Sequence, residues 1–85
     1  MPMRRAYYFT ANYCPGCHIQ WDEVLEPLQD EGYPVEEVDA MKNPRLARRY
    51  TVTSIPTLII TDGSRVVERI KGRVTQRQVI DLLTD

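Results

Sequence analysis

Eighty-five residues, 42% of them hydrophobic, make one domain, expected over residues 1–85. A chain this short buries only about 60% of its unfolded surface, so its stability is modest. Eleven basic against twelve acidic residues leave a formal charge of −1, which gives no electrostatic footprint for nucleic acid and no polybasic membrane patch.

Met1-Pro2-Met3-Arg4-Arg5 begins basic, but Thr10, Asn12 and two cysteines follow too soon for a signal-peptide core. No apolar run approaches a membrane span, and two cysteines are too few for a secreted disulfide scaffold. A soluble, cytoplasmic protein is expected. Ala6-Tyr7-Tyr8-Phe9-Thr10 is aromatic and apolar on both faces, which predicts a strand in the middle of a sheet. Ala11-Asn12-Tyr13 is a turn, and a helix starts at Cys14 or Pro15, since proline is tolerated in a first turn. Cys17, Trp21, Val24, Leu25 and Leu28 share one helical face, while Asp22, Glu23 and Glu26 occupy the other. Pro27 should kink this helix or end its regular part, and Gly32 is its stop.

Tyr33 to Asp39, with Val35 and Val38 among acidic residues, reads as a strand. Asn43-Pro44 opens a short helix, with asparagine as N-cap and Leu46, Ala47 and Tyr50 on its apolar face. Thr57-Leu58-Ile59-Ile60-Thr61 is a buried strand, Asp62-Gly63 a hairpin signal, and Val66, Val67 and Ile70 belong to the returning strand. Thr75 and Gln78 have capping-box spacing before Val79, Ile80, Leu82 and Leu83. The order βαβαββα puts a parallel pair first and an antiparallel hairpin second.

The chemistry centres on Tyr13-Cys14-Pro15-Gly16-Cys17-His18, which holds both cysteines of the chain. Three positions apart on a helix, they share a face and can close a small disulfide ring. Cys14 lies at the helix start, where unpaired N–H groups and the dipole favour an anion, lowering its thiol pKa from about 8.5 toward about 7. The larger benefit is that a low-pKa thiol leaves readily when its mixed disulfide is resolved. Cys17, one turn further in, is the expected resolving thiol. A purely stabilising disulfide is the competing reading, but a four-residue loop yields only about 2 kcal/mol. The pattern C-x-x-C-H also matches haem attachment, with Met3 and Met41 as the methionines in unsuitable surroundings. A zinc site would need about four ligands where the chain offers two cysteines and His18.

With Ile55-Pro56-Thr57 some forty residues after the cysteines, then Asp62-Gly63 and Gly72, the chain resembles the thioredoxin superfamily over roughly residues 4–83. The resemblance implies an α/β fold of minimal thioredoxin type, a four-stranded mixed sheet with helices on both faces. It implies a thiol–disulfide oxidoreductase with Cys14 as nucleophile and Cys17 as resolving thiol, and no cofactor or metal beyond that redox-active pair. Pro56 would be cis and face the cysteines. The backbone of Ile55 would pair with an extended substrate segment, and Tyr13, Pro15 and the Gly72-Arg73 loop would line the same groove.

Several positions depart from the pattern. The N-terminal strand and helix of full-length thioredoxins are missing, which brings the size closer to glutaredoxins. The intervening dipeptide is Pro15-Gly16, Tyr13 stands where thioredoxins carry tryptophan, and Tyr8 stands where they bury an acid. Glutaredoxins bind glutathione through a Thr-Val-Pro segment and a Gly-Gly pair, whereas this chain has Ser54-Ile55-Pro56 and a lone Gly72 before Arg73. Reduction by a thioredoxin-reductase-type flavoprotein is therefore favoured over glutathione. Disulfide-containing proteins, ribonucleotide reductase among them by family, are the implied clients of a monomer. The alternatives are a glutathione-dependent glutaredoxin and a non-catalytic binding module on the same fold.

Overall fold

The aromatic run ahead of the cysteines becomes the centre of the sheet. In the computed structural model, which describes residues 4–85, β1 (Arg4–Thr10) pairs in parallel with β2 (Val35–Asp39) and antiparallel with β3 (Thr57–Asp62). β3 pairs antiparallel with β4 (Arg65–Lys71), giving the order β2-β1-β3-β4. Ala6 and Tyr8 face one core cluster and Phe9 the other, so β1 is covered on both sides and shows no polar alternation.

The first helix is not continuous. It runs as α1 (Pro15–Gln20), a π-helical turn (Trp21–Leu25) and α2 (Glu26–Asp30). Pro27 has no N–H, and its ring crowds the carbonyl four residues back. The wider turn before it, in which the Glu26 N–H reaches the Trp21 carbonyl five residues earlier, relieves that crowding. Gly32 adopts φ +97°, and the Gly32 and Tyr33 N–H groups close onto the carbonyls of Gln29 and Leu28, both at 3.0 Å. Trp21, Leu25 and Leu28 bury their stripe against Ala6, Tyr8, Leu58 and Ile60. Full burial of one such leucine stabilises by about 1.5–3 kcal/mol.

β2 begins at Val35, not Tyr33. Val35 and Val38, three residues apart, point to opposite faces and join different clusters. That is why the strand's alternation is imperfect. Its exposed Glu36 and Glu37 put charge on a sheet edge, which discourages pairing with another chain. α3 (Pro44–Arg49) covers the second face, where Tyr50 stacks on Tyr7 at 5.6 Å and meets Phe9 edge-on at 6.3 Å. Asn43 holds the N-cap position of α3, but its side chain does not cap the helix. Its Nδ2 turns back to donate to the Asp39 carbonyl at 2.9 Å, while Asp39 Oδ1 accepts the N–H groups of Met41 and Lys42.

The β3–β4 hairpin turns on Gly63-Ser64, with Asp62 still paired to Arg65 and Gly63 at φ +63°. α4 (Gln76–Thr84) opens with a complete capping box: Thr75 Oγ1 accepts the Gln78 N–H at 3.1 Å, and Gln78 Oε1 accepts the Thr75 N–H at 2.8 Å. Helices thus cover both faces, the cysteine-bearing helix and α4 on one, α3 on the other. No described helix is long and apolar enough to cross a membrane.

Candidate functional site

β1 ends at Thr10, and the turn to α1 is closed by the Cys14 N–H donating to the Ala11 carbonyl at 3.1 Å. Cys14 is the N-cap of α1 and is half-buried; its Sγ accepts the Cys17 N–H at 3.2 Å. Cys17 is sealed from solvent. The two sulfurs are joined as a disulfide, with Cα atoms 5.3 Å apart. When the pair is reduced, a Cys14 thiolate lies against the same N–H group and the positive end of the helix, which favours the anion. One sulfur is reachable and the other is covered, an asymmetry suited to attack followed by internal resolution.

Tyr8 lies under this turn, fully buried and stacked on Trp21 at 6.3 Å between ring centres. Its hydroxyl donates to the Cys17 carbonyl at 3.3 Å and accepts from Gln20 Nε2 at 2.9 Å. Burial raises the Tyr8 pKa above 10.0; the Gln20 hydrogen bond opposes the rise and the Glu37 carboxylate adds to it. The phenol therefore stays neutral at physiological pH and acts as a donor, not a base. Glu37, opposite Tyr8 in the β1–β2 register, has its pKa raised by partial desolvation. His18 lowers it, while Asp22, Glu26 and Asp39 raise it further.

The second wall of the site comes from far along the chain. The Ile55–Pro56 peptide is cis, both residues are half-buried, and Thr57 Oγ1 donates to the Ser54 carbonyl at 2.6 Å. Gly72, at φ +85°, donates its N–H to the Pro56 carbonyl at 3.0 Å. A groove of about 470 Å³ separates the walls, with Gly16, Ile19 and Gln20 on one side and Pro56, Gly72 and Arg73 on the other.

Of the residues expected at a docking surface, Pro56 and Gly72 line this groove. Tyr13 stands beside Cys14 with 72% of its surface exposed, Pro15 is exposed in the first turn of α1, and Ile55 is half-buried next to Pro56; these three do not line it. Met41 is 69% exposed, and Met3 lies outside the described residues. Gln20 is the site residue that sequence reasoning missed. It follows Cys17 by three positions and so shares its helical face; a polar residue on an otherwise apolar stripe was the available signal.

The Thioredoxin family profile matches residues 6–85. A thioredoxin of Chlamydia trachomatis is 36% identical over 78 residues, covering 89% of this chain and 76% of that one. A bifunctional thioredoxin reductase/thioredoxin of Mycobacterium leprae is 34% identical over 80 residues, covering 91% of this chain and 17% of that one. A mutant thioredoxin from Halobacterium salinarum superposes with a TM-score of 0.81 at 27% identity, covering 94% of this chain and 71% of that one. The chain spans about half the length of several curated relatives it matches. A four-stranded mixed sheet, a cysteine pair at the first strand–helix junction and a match along nearly all of the sequence agree on one origin: the chain belongs to the thioredoxin family.

Proposed function

We propose that the chain is a thiol–disulfide oxidoreductase that reduces protein disulfides. The observation that carries this reading is the Cys14–Cys17 disulfide at the start of α1, beside a groove whose other wall is the cis-Pro56 turn. The Cys14 thiolate attacks one sulfur of a substrate disulfide, forming a mixed disulfide and releasing the other substrate sulfur as a thiolate, which takes up a proton. Cys17 loses its proton and attacks the Cys14 sulfur. The Cys14–Cys17 disulfide forms, and the second substrate sulfur leaves as a thiol. Two electrons and two protons pass from the dithiol to the substrate. The backbone of Ile55 pairs with an extended substrate segment in this reading, a mode that selects main chain over sequence.

A flavoprotein reductase restores the dithiol in this reading. A relative in which reductase and thioredoxin occupy one chain supports that donor. Glutathione is the competing donor, and the observation in its favour is Arg73, a cation on the groove wall able to meet a carboxylate. Turnover with glutathione and glutathione reductase, compared with turnover with a thioredoxin reductase, separates the two; activity with glutathione alone reverses the preference.

Insulin reduction driven by dithiothreitol tests the central assignment. Cys14→Ser is expected to abolish it, and Cys17→Ser to accumulate mixed disulfides visible by mass spectrometry. A Cys14→Ser protein as active as the parent refutes the mechanism.

A further inference from the structure

The Gln20 side chain makes contacts at both ends of its amide. Nε2 donates to the Gly72 carbonyl at 3.1 Å and to the Tyr8 hydroxyl at 2.9 Å; Oε1 accepts the Val74 N–H at 2.9 Å. Two of these bonds cross from α1 to the loop after β4, more than fifty positions along the chain. The circuit continues on either side. Gly72 donates onward to the Pro56 carbonyl, and Tyr8 donates to the Cys17 carbonyl. One amide thus ties the cysteine turn to the opposite wall of the groove.

We propose that Gln20 is a positioning residue that latches the Gly72–Val74 wall of the groove to the redox helix, and so sets how well a protein disulfide, as opposed to a small one, is held for attack. The inference rests on the oxidoreductase reading above. Val74 is buried, so its N–H pays for a lost partner in full, and Gly72, whose carbonyl accepts from Gln20, passes the tie on through its own N–H to the Pro56 carbonyl on the same wall. A wall held in its bound position before the substrate arrives spares the ordering that docking otherwise requires. A small disulfide touches only Cys14 and gains nothing from the wall.

Two near-isosteric variants test the latch. Gln20→Met removes every polar contact. Gln20→Glu keeps an acceptor for the Val74 N–H but cannot donate to Gly72 or Tyr8 and sets a negative charge against a carbonyl. In both, KM for insulin is expected to rise about threefold to tenfold, the scale of the one cross-groove hydrogen bond, to the Gly72 carbonyl, that both variants lose. Any loss with hydroxyethyl disulfide should be smaller than the loss with insulin, since the small substrate uses no wall contact. Amide exchange of Val74 should accelerate at least about tenfold in Gln20→Met and stay protected in Gln20→Glu. Equal losses on the protein and the small disulfide, an unchanged KM for insulin in both variants, or a Val74 amide no faster in Gln20→Met would overturn the latch. If Gln20→Met does not fold, the substrate comparison in Gln20→Glu decides. A parent protein that reduces neither disulfide sinks the redox reading instead, and Val74 exchange then still reports on the latch.

Discussion

At Tyr8 a neutral phenol donates to the carbonyl of the buried Cys17, and the carboxylate with a raised pKa is Glu37, opposite it on the neighbouring strand. The direction of the Glu37 shift carries a stability consequence. Its folded-state pKa stands above the ordinary glutamate value of 4.5, because partial desolvation and the carboxylates of Asp22, Glu26 and Asp39 outweigh the attraction of His18. The folded chain therefore binds this proton more tightly than the unfolded chain, and stability falls as pH rises from the ordinary value through the folded one. Well below that window both states are protonated and the penalty vanishes. Glu37→Gln, which cannot ionise, should raise the melting temperature at neutral pH and lose that advantage in acid. Melting curves of both proteins at the two pH values check this; an advantage that grows in acid contradicts the shift. The residue is largely exposed, so the effect is small.

Among the elements, α4 depends most visibly on a local device. Its capping box satisfies two N–H groups reciprocally at a helix only nine residues long. Thr75→Ala should cost about 1 kcal/mol. For a domain of this size that lowers the melting temperature by about 4–8 °C. Thr75→Ser should recover most of the loss, and an unchanged melting temperature for Thr75→Ala would show the cap to be idle. The cap was legible in the sequence because its partners are three residues apart. The same holds for the Gly32 stop, the cysteine spacing and β1, whose doubly apolar run already placed it mid-sheet. Pro27 announced an interruption but not its form, since a π-helical turn is only one way to make room for a proline. Asn43 carried a correct position and a wrong side-chain role, because Asp39 took up the preceding turn and left its own carbonyl for Asn43 to bond. The Gln20 contacts join residues 52 and 54 positions apart, and no periodicity encodes a pairing of that range.

Over the whole molecule, near-zero net charge hides a strong segregation. No lysine or arginine lies between Arg5 and Lys42, while eight of the twelve acidic residues do. Acids accordingly collect on the cysteine-bearing helix and the β2 edge, and Arg45, Arg48 and Arg49 on α3 across the sheet. A cysteine pair proposed to carry electrons has to leave the fold standing in both of its states, and here the size of the disulfide loop decides. Closing a four-residue loop stabilises the chain by about 2 kcal/mol at most. Two core clusters built around Tyr8, Leu25, Ile60, Phe9 and Ile59 hold the sheet without it. Once the bond is broken, the Cys17 N–H still has the Cys14 sulfur and the Cys14 carbonyl as acceptors. Reduction should therefore lower the melting temperature by no more than about 16 °C and leave the far-ultraviolet dichroism at room temperature unchanged. Unfolding followed with and without a phosphine reductant measures this directly. Collapse of the fold on reduction would make the pair a staple, because a bond the fold depends on cannot be opened and closed in every turnover.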